Sequence, residues 1–564
     1  MAQLGFVRTL IPAAALSLLA GCAAVPMQTA PSYDLLIRHA RVVDGSGNPW
    51  YRADVAITDG RIAAIGTLDD AEATSVVDAR GRVLAPGFID LLGQDTTSYI
   101  NNPGVAGSRL FQGITTHVSG EGWSHAPQNR QTQPEPVEIG GTPERWTRFS
   151  EYFDILERHG LPLNTAYTVG AAQVREVVIG EEDRAPTSDE LDAMRGLVRQ
   201  AMEHGATGLS SALIYPPGIY ASDDEIVALA QVVAEYGGAY STHMRNESHH
   251  LLEAIDQSIA IGQRAGVPVH IYHLKAAGAK NWPLMGDALK RINAARDQGI
   301  EVTADIYPYI RVGLGLAALV PPQYYANGVE ALQQRLSDPD LRRQIRAEME
   351  AGDTSFENYY DHTGQNWDKV LIIYAGNAAD PSVAGESVGE AARKRDIDVW
   401  TLFFDLVQAG GVVVTPEVLD EAQKVEALKE RWVMIETDMS PVNPETAQSS
   451  HPRAFGAFPR VLAKYVREGG IIPLEEAIRR MTWMPARMLG LPDRGLIAEG
   501  MAADLALFDP ERIQDKATFE DPLQFSEGID WLWVNGTAAI ADGQLTGARP
   551  GRVLRRPVLK AAAR

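Results

Sequence analysis

Eight short runs of β-branched, aromatic and small residues alternate with helix-like segments through the middle of this 564-residue chain, and they predict an α/β fold, a (β/α)8 TIM-like barrel. Hairpin-rich segments at both ends, neither long enough to bury a core alone, predict a discontinuous β-sandwich assembled from the N- and C-terminal parts. Two of the eight runs end on histidines, His243 and His273, one βα unit apart. Catalytic groups of such barrels sit at the C-terminal strand ends, so this pair is placed to hold a metal at the barrel mouth.

The chain is too long for one compact core, which points to a large domain with an accessory one. Composition is ordinary for a globular protein, 45% hydrophobic and 22% charged. The formal charge of −22 argues against a nucleic-acid partner, since phosphates must be neutralised by cations. At the N-terminus Arg8 precedes an apolar run, residues 10–20, that ends in Leu19-Ala-Gly-Cys22. This is a lipobox-like signal segment over 1–21, with Cys22 as the lipid acceptor and 22–32 as a tether. The competing reading is a plain signal peptide with an incidental cysteine. The run is too short to span a bilayer. Cys22 is the single cysteine, so its lipidation would leave no thiol for disulfides or metal ligation. The location this implies is the periplasmic side of a bacterial envelope, with membrane contact only through the anchor.

Residues 33–86 read as short strands and turns, including the hairpin signal Asp59-Gly60 between 54–58 and 61–65. Residues 492–564 have the same texture, so the two are expected to form one module. The barrel is assigned to 87–491, with strands over 88–92, 114–119, 164–169, 208–214, 239–243, 269–273, 302–307 and 432–437. Helices are predicted over 188–204, 222–236, 251–265 and 282–298, each stopped by glycine. The connection from 308 to 431 exceeds one crossover helix, so an insertion is placed at about 321–374, with a helix over 329–351, above the active-site face.

Reading the strand ends in turn adds two carboxylates. Strand two runs into Gly120-Glu121-Gly122 and strand eight into Glu436-Thr-Asp438. Glu121, His243 and His273 make the ligand set of a catalytic zinc site with a position left for water. For Glu121 the alternative is a buried ion pair, for Asp438 a helix cap, and for each histidine a hydrogen-bonded core ring. His117 is expected to be structural; His125, His249 and His250 are read as nearby extras, with a place in the pocket the lesser reading for His125.

Several further stretches carry a resemblance to a known family. They are Ala85-Pro-Gly-Phe-Ile-Asp90, Gln112-Gly-Ile-Thr-Thr116, Ser241-Thr-His-Met-Arg-Asn-Glu247, His273-Leu-Lys275, Ala304-Asp-Ile-Tyr-Pro-Tyr309, His451-Pro-Arg-Ala-Phe-Gly-Ala-Phe-Pro-Arg460 and Ala502-Ala-Asp-Leu-Ala-Leu-Phe-Asp509. The chain resembles the amidohydrolase superfamily, and within it the N-acyl-D-amino-acid deacylases (D-aminoacylases). It departs from them where the superfamily has His-x-His after the first strand, since that slot reads Leu92-Gly93-Gln94. The family's ligand cysteine near the end of strand two is also replaced, with Glu121 best placed to fill the role.

The resemblance implies a metal-dependent hydrolase that cleaves the amide bond of N-acyl-D-amino acids or related D-residue amides. One Zn2+ or another divalent metal is expected on Glu121, His243 and His273, with Gln94 and Asp95 lining the vacated second place. Asp438 is expected to take a proton from a water acidified by the metal. Lys275, Tyr307 and Arg453 are expected to hold the substrate carboxylate and the scissile carbonyl. The family's hydroxyl just after strand seven is replaced by the region of Gly313 and Leu314. Two alternatives remain open, a dipeptidase for C-terminal D-residues and a non-catalytic envelope binding lipoprotein.

Overall fold

The computed structural model describes residues 32–325, 328–352, 355–376 and 379–558. The signal segment, Cys22 and all of the expected tether except Ser32 lie outside these residues, and Ser32 already opens the strand Ser32–Val42.

All eight expected runs form parallel barrel strands: Phe88–Asp90, Ile114–Ser119, Asn164–Tyr167, Gly208–Ala212, Ala239–His243, Val269–Ile271, Val302–Ile306 and Val433–Ile435. They follow one another around the barrel in chain order. The third strand is interrupted at Thr168, so that Asn164–Tyr167 pairs with strand two while Val169–Gly170 pairs with strand four. Strands six and eight stop short of the expected 273 and 437. The left-handed backbone at His273 (φ 38°) and Asp438 (φ 45°) cannot continue a strand, so the chain turns into loops there.

The described pairings include no backbone ladder between strands eight and one. Closure is made there by side chains. Thr437 donates its N–H and hydroxyl to Asp90 Oδ1 (2.9 Å) and Oδ2 (2.6 Å). Arg109 Nε stands 3.3 Å from the same carboxylate, and both charged groups are fully buried.

The crossover helices start and stop for local reasons. Ser188–Glu203 is preceded by Thr187, whose hydroxyl accepts from Glu190 N while Glu190 accepts from Thr187 N, a reciprocal capping box. Asp223–Ala234 is capped by Ser222, and Leu251–Ala265 ends at left-handed Gly266. The expected single helix over 329–351 is two helices, Val329–Arg335 and Pro339–Ala351. Pro339 has no N–H to continue the first helix, and Asp338 caps the second. Between barrel strands seven and eight lies a separate antiparallel sheet of Leu314–Gly315, Val412–Pro416 and Val370–Ala375. Helices Val388–Arg395 and Val399–Ala409 accompany it, and Trp400 and Phe403 pack on Trp367 at centroid distances of 5.1 Å and 4.9 Å.

The terminal segments share one nine-stranded sheet. Its seam is the antiparallel pair Val83–Pro86 with Leu505–Phe508. The turns Asp59-Gly60, Asn535-Gly536 and Asp542-Gly543 all have positive φ at both positions, the backbone that two-residue hairpins require. Leu35, Ile37, Val55 and Ile57 from the N-terminal part bury with Leu505, Leu507 and Trp533 from the C-terminal part. Beyond the sheet the chain returns to the barrel: Thr165 N–H donates to Arg552 O, and Leu554 N–H to Thr165 O.

The closure contact makes a graded prediction. Asp90→Ala strips Arg109 of its carboxylate, leaving only backbone carbonyls of Ala454 and Met439 on its guanidinium, and is expected to cost about 3–5 kcal/mol. Thr437→Val loses only the hydroxyl bond, at about 1–3 kcal/mol. Urea unfolding midpoints should rank wild type above Thr437→Val, and Thr437→Val above Asp90→Ala.

Candidate metal centre

Glu121 enters the barrel mouth between two glycines at positive φ, Gly120 (119°) and Gly122 (77°). A Cβ at Gly120 would lie 2.3 Å from Thr168 Oγ1, and one at Gly122 2.6 Å from Ala212 N, so the turn that presents Glu121 needs both glycines. Glu121 Oε1 lies 2.8 Å from His243 Nδ1 and 2.8 Å from His273 Nε2. The three donor atoms lie within 4.8 Å of one another, and this is the single His/Cys/Asp/Glu group able to hold a metal ion found among the described residues.

One carboxylate stands behind both rings. Glu247 Oε1 is 3.0 Å from His273 Nδ1, and Glu247 Oε2 is 3.4 Å from His243 Nε2, which makes no hydrogen bond among the described residues. A cation at the inner nitrogens leaves the His243 proton on Nε2, facing Glu247. That is the carboxylate–histidine arrangement that fixes tautomer and ring direction. Asp305 adds a backbone tether, accepting from His273 N at 2.6 Å while its other oxygen meets His270 Nε2 at 2.8 Å. The donor set therefore fits a zinc-like cation. Sequence reasoning passed over Glu247, although it stands four residues after His243 within the quoted Thr-His-Met-Arg-Asn-Glu stretch.

The other expected residues divide into two groups. Arg453 Nη1 pairs with Asp438 Oδ2 at 2.8 Å, and its guanidinium carbon lies 4.4 Å above the Tyr307 ring. Arg453 Nε and Nη1 make no hydrogen bond among the described residues. Its backbone N–H donates to His451 Nδ1, and His451 Nε2 donates to Arg311 O, which locks the start of the helix Arg453–Arg460. Any side chain at Gly313 would collide with this guanidinium, because a Cβ there falls 2.7 Å from Nη2. Lys275 is elsewhere. Its Nζ is held 2.6 Å from Glu247 Oε1 and 2.7 Å from His273 Nδ1, so its charge is used behind the imidazoles.

Gln94 occupies the first-strand slot with left-handed backbone (φ 67°). Its Nε2 donates to Glu121 Oε2 (2.8 Å) and to Asp438 Oδ1 (3.2 Å), tying the Glu121 carboxylate to the neighbouring acid. Leu92 is fully buried. Asp95 accepts from Thr97 and Ser98 at the start of the helix Ser98–Asn101. His117 is buried and bonded to the Tyr99 hydroxyl at 2.8 Å, and burial lowers it to about 3, so the ring is neutral. His125 lines a cavity of about 370 Å³ that opens at Glu121 and Gln94.

Electrostatics follow this layout. Burial opposes charge on His243, yet Glu247 and Glu121 outweigh it and raise the ring to about 10. Burial also pushes Glu121 upward, but the two imidazoles hold it well below the usual carboxylate range. Asp438 is raised by burial against the pull of Arg453. Glu436, buried two residues earlier with neither oxygen hydrogen-bonded among the described residues, is raised well above its ordinary value by burial and then by Asp305 and Asp438.

Two outcomes are expected. Removing a ligand in Glu121→Ala or His273→Ala abolishes stoichiometric zinc, and Glu247→Gln weakens zinc affinity by about 10–100-fold, read by chelator competition. In the metal-free protein the raised His243 carries a proton that a cation must displace. Metal uptake therefore releases protons, and apparent affinity climbs from pH 6 to pH 8, measured in two buffers of different ionisation enthalpy.

The amidohydrolase family profile matches residues 377–540. The D-aminoacylase of Alcaligenes xylosoxydans xylosoxydans is 33% identical over 532 residues, 93% of this chain and 98% of that protein. The N-acyl-D-glutamate deacylase of Bordetella bronchiseptica, solved with zinc and a phosphonate mimic of the tetrahedral intermediate, superposes with a TM-score of 0.77. It is 31% identical, and the match covers 93% of this chain and 100% of that one. A D-aminoacylase structure with the same TM-score and coverage, at 30% identity, is described as having a binuclear metal centre in which one metal activates and the second attenuates. Identity of this level along nearly the whole length of both chains, on a shared fold, makes this protein a member of the D-aminoacylase family of amidohydrolases.

Proposed function

We propose that this protein hydrolyses N-acyl-D-amino acids with a single zinc ion held by Glu121, His243 and His273. The observation that carries this reading is the convergence of those three donors, with Asp438 and Arg453 paired beside them. Bound there, zinc would polarise the amide carbonyl and acidify a water. Asp438 takes the proton of the attacking water and returns it to the departing amine nitrogen. Its raised basicity and its hydrogen bond from Gln94 suit it to both transfers. Arg453, resting on Tyr307, is the planar cation for the substrate α-carboxylate, and its contact with Asp438 sets the distance between that anchor and the acid. Lys275 acts through Glu247, holding the carboxylate that aims both rings.

The single-metal assignment rests on Gln94 and Leu92. Neither supplies an imidazole, and the Gln94 amide donates a hydrogen bond toward the ligand carboxylate where a second cation would have to sit. A binding protein without catalysis would have no use for Asp438 beside the ligand set. We further assign the protein to the bacterial envelope, tethered through Cys22, on the strength of the Leu19-Ala-Gly-Cys22 stretch.

The zinc-loaded protein is expected to release amine from N-acetyl-D-amino acids and to spare their L-enantiomers. About one zinc per chain should accompany activity. A metal-free, inactive protein overturns the reading. Asp438→Asn should lower kcat by about 10²–10⁴-fold with zinc retained. Cys22→Ala should move the protein from the membrane to the soluble fraction of the envelope.

A further inference from the structure

The cavity of about 370 Å³ beside Glu121 has no part in the steps above. It is walled by loops that follow barrel strands one, two and four, and its main surfaces are Trp123, His125, Trp146 and Tyr215. Arg453 and Tyr307 come from the other side of the barrel mouth, after strands eight and seven. The scissile carbon of an N-acyl amino acid carries two substituents that diverge. One is the amine with its α-carboxylate, and the other is the acyl group. With the carboxylate at Arg453 and the carbonyl at the Glu121–His243–His273 centre, the acyl group is directed into this cavity.

Its chemistry is specific. Trp146 Nε1 donates to His125 O and Trp123 Nε1 to Glu176 Oε2, so both indoles have used their polar edge on the protein and offer carbon surface. The wall is braced, since His125 stacks on Tyr152 at 4.7 Å and Trp146 leans on the same ring at 4.9 Å. Among the described residues no lysine or arginine lines the space, and Asp95 and Glu121 are the acids at its edge. An anionic acyl group would find no lysine or arginine in this wall to pair with. An acetyl methyl group occupies about the share of one water, about 30 Å³, and would leave the cavity wet, whereas a benzene ring needs a space of about 150 Å³. Aromatic faces favour an aromatic guest.

Resting on the proposed amide hydrolysis, we infer that this cavity is the acyl pocket and selects substrates with an uncharged arylacyl group over N-acetyl ones. The test compares N-phenylacetyl-D-leucine with N-acetyl-D-leucine on the zinc-loaded full chain. The phenylacetyl substrate should have a kcat/KM at least tenfold higher. Trp123→Ala should lower that ratio about tenfold, mainly through KM, and Trp123→Phe should restore most of it, with zinc content unchanged in both. Equal kcat/KM for the two acyl groups in the wild type, or a Trp123→Ala ratio equal to that of the wild type, overturns the acyl assignment while leaving amide hydrolysis standing. If neither compound is cleaved at full zinc occupancy, the hydrolase reading falls and takes this one with it. Should Trp123→Ala fail to fold, the wild-type ratio decides.

Discussion

Two imidazoles and a carboxylate from three different strand ends meet at one point only if each ring is held from behind, and Glu247 does this for both. Its own burial would be costly without a counter-charge, and Lys275 supplies one at 2.6 Å. Lys275, Glu247, His243, His273 and Glu121 thus form one continuous charged chain at the barrel mouth. None of its members is stable there alone, because each would be a buried polar group without a partner. The dependence runs outward as well. Asp305 holds the backbone of His273, and Glu121 reaches the rings only because two glycines allow its turn.

Three residues with left-handed backbone surround the same point. Gln94, His273 and Asp438 all have left-handed backbone, a conformation costing about 1–3 kcal/mol for a residue with a side chain. Each is the residue at which a strand or its extension turns into an active-site loop. The surrounding framework must over-determine these positions, and the buried Asp90–Thr437–Arg109 cluster, which joins the end of strand one to the residues after strand eight, is part of it. Barrel closure and site geometry are therefore coupled, since Thr437 is the immediate neighbour of Asp438.

Departure from the His-x-His pattern is internally consistent. Replacing one histidine with Gln94 exchanges a ligand for a donor, and that donor finds two acceptors, Glu121 and Asp438, that would otherwise repel each other. Glu121 has a second oxygen, Oε2, that takes this bond. Space beside them is lined in part by the aromatic surfaces of Trp123, Trp146 and Tyr215.

What the sequence determined by itself is local and periodic. Eight strands were legible because each apolar run is short and bounded by glycine or a helix cap. Ala239–His243 and Ile114–Ser119 appear with the bounds their patterns imply. His243, His273 and Glu121 were legible because strand ends in such a barrel all face one way. Only the tertiary structure decided how long-range partners are shared. The helix over 329–351 broke at Pro339, whose missing N–H is a local signal that the apolar pattern obscured. Lys275 and Arg453 are alike in sequence as cations near strand ends, yet one is buried against Glu247 and the other sits across Tyr307 beside Asp438. The role of Glu247 depends on two ring nitrogens brought together from separate strands. No spacing along the chain encodes that meeting, because side-chain direction at a loop is set by packing against residues remote in sequence.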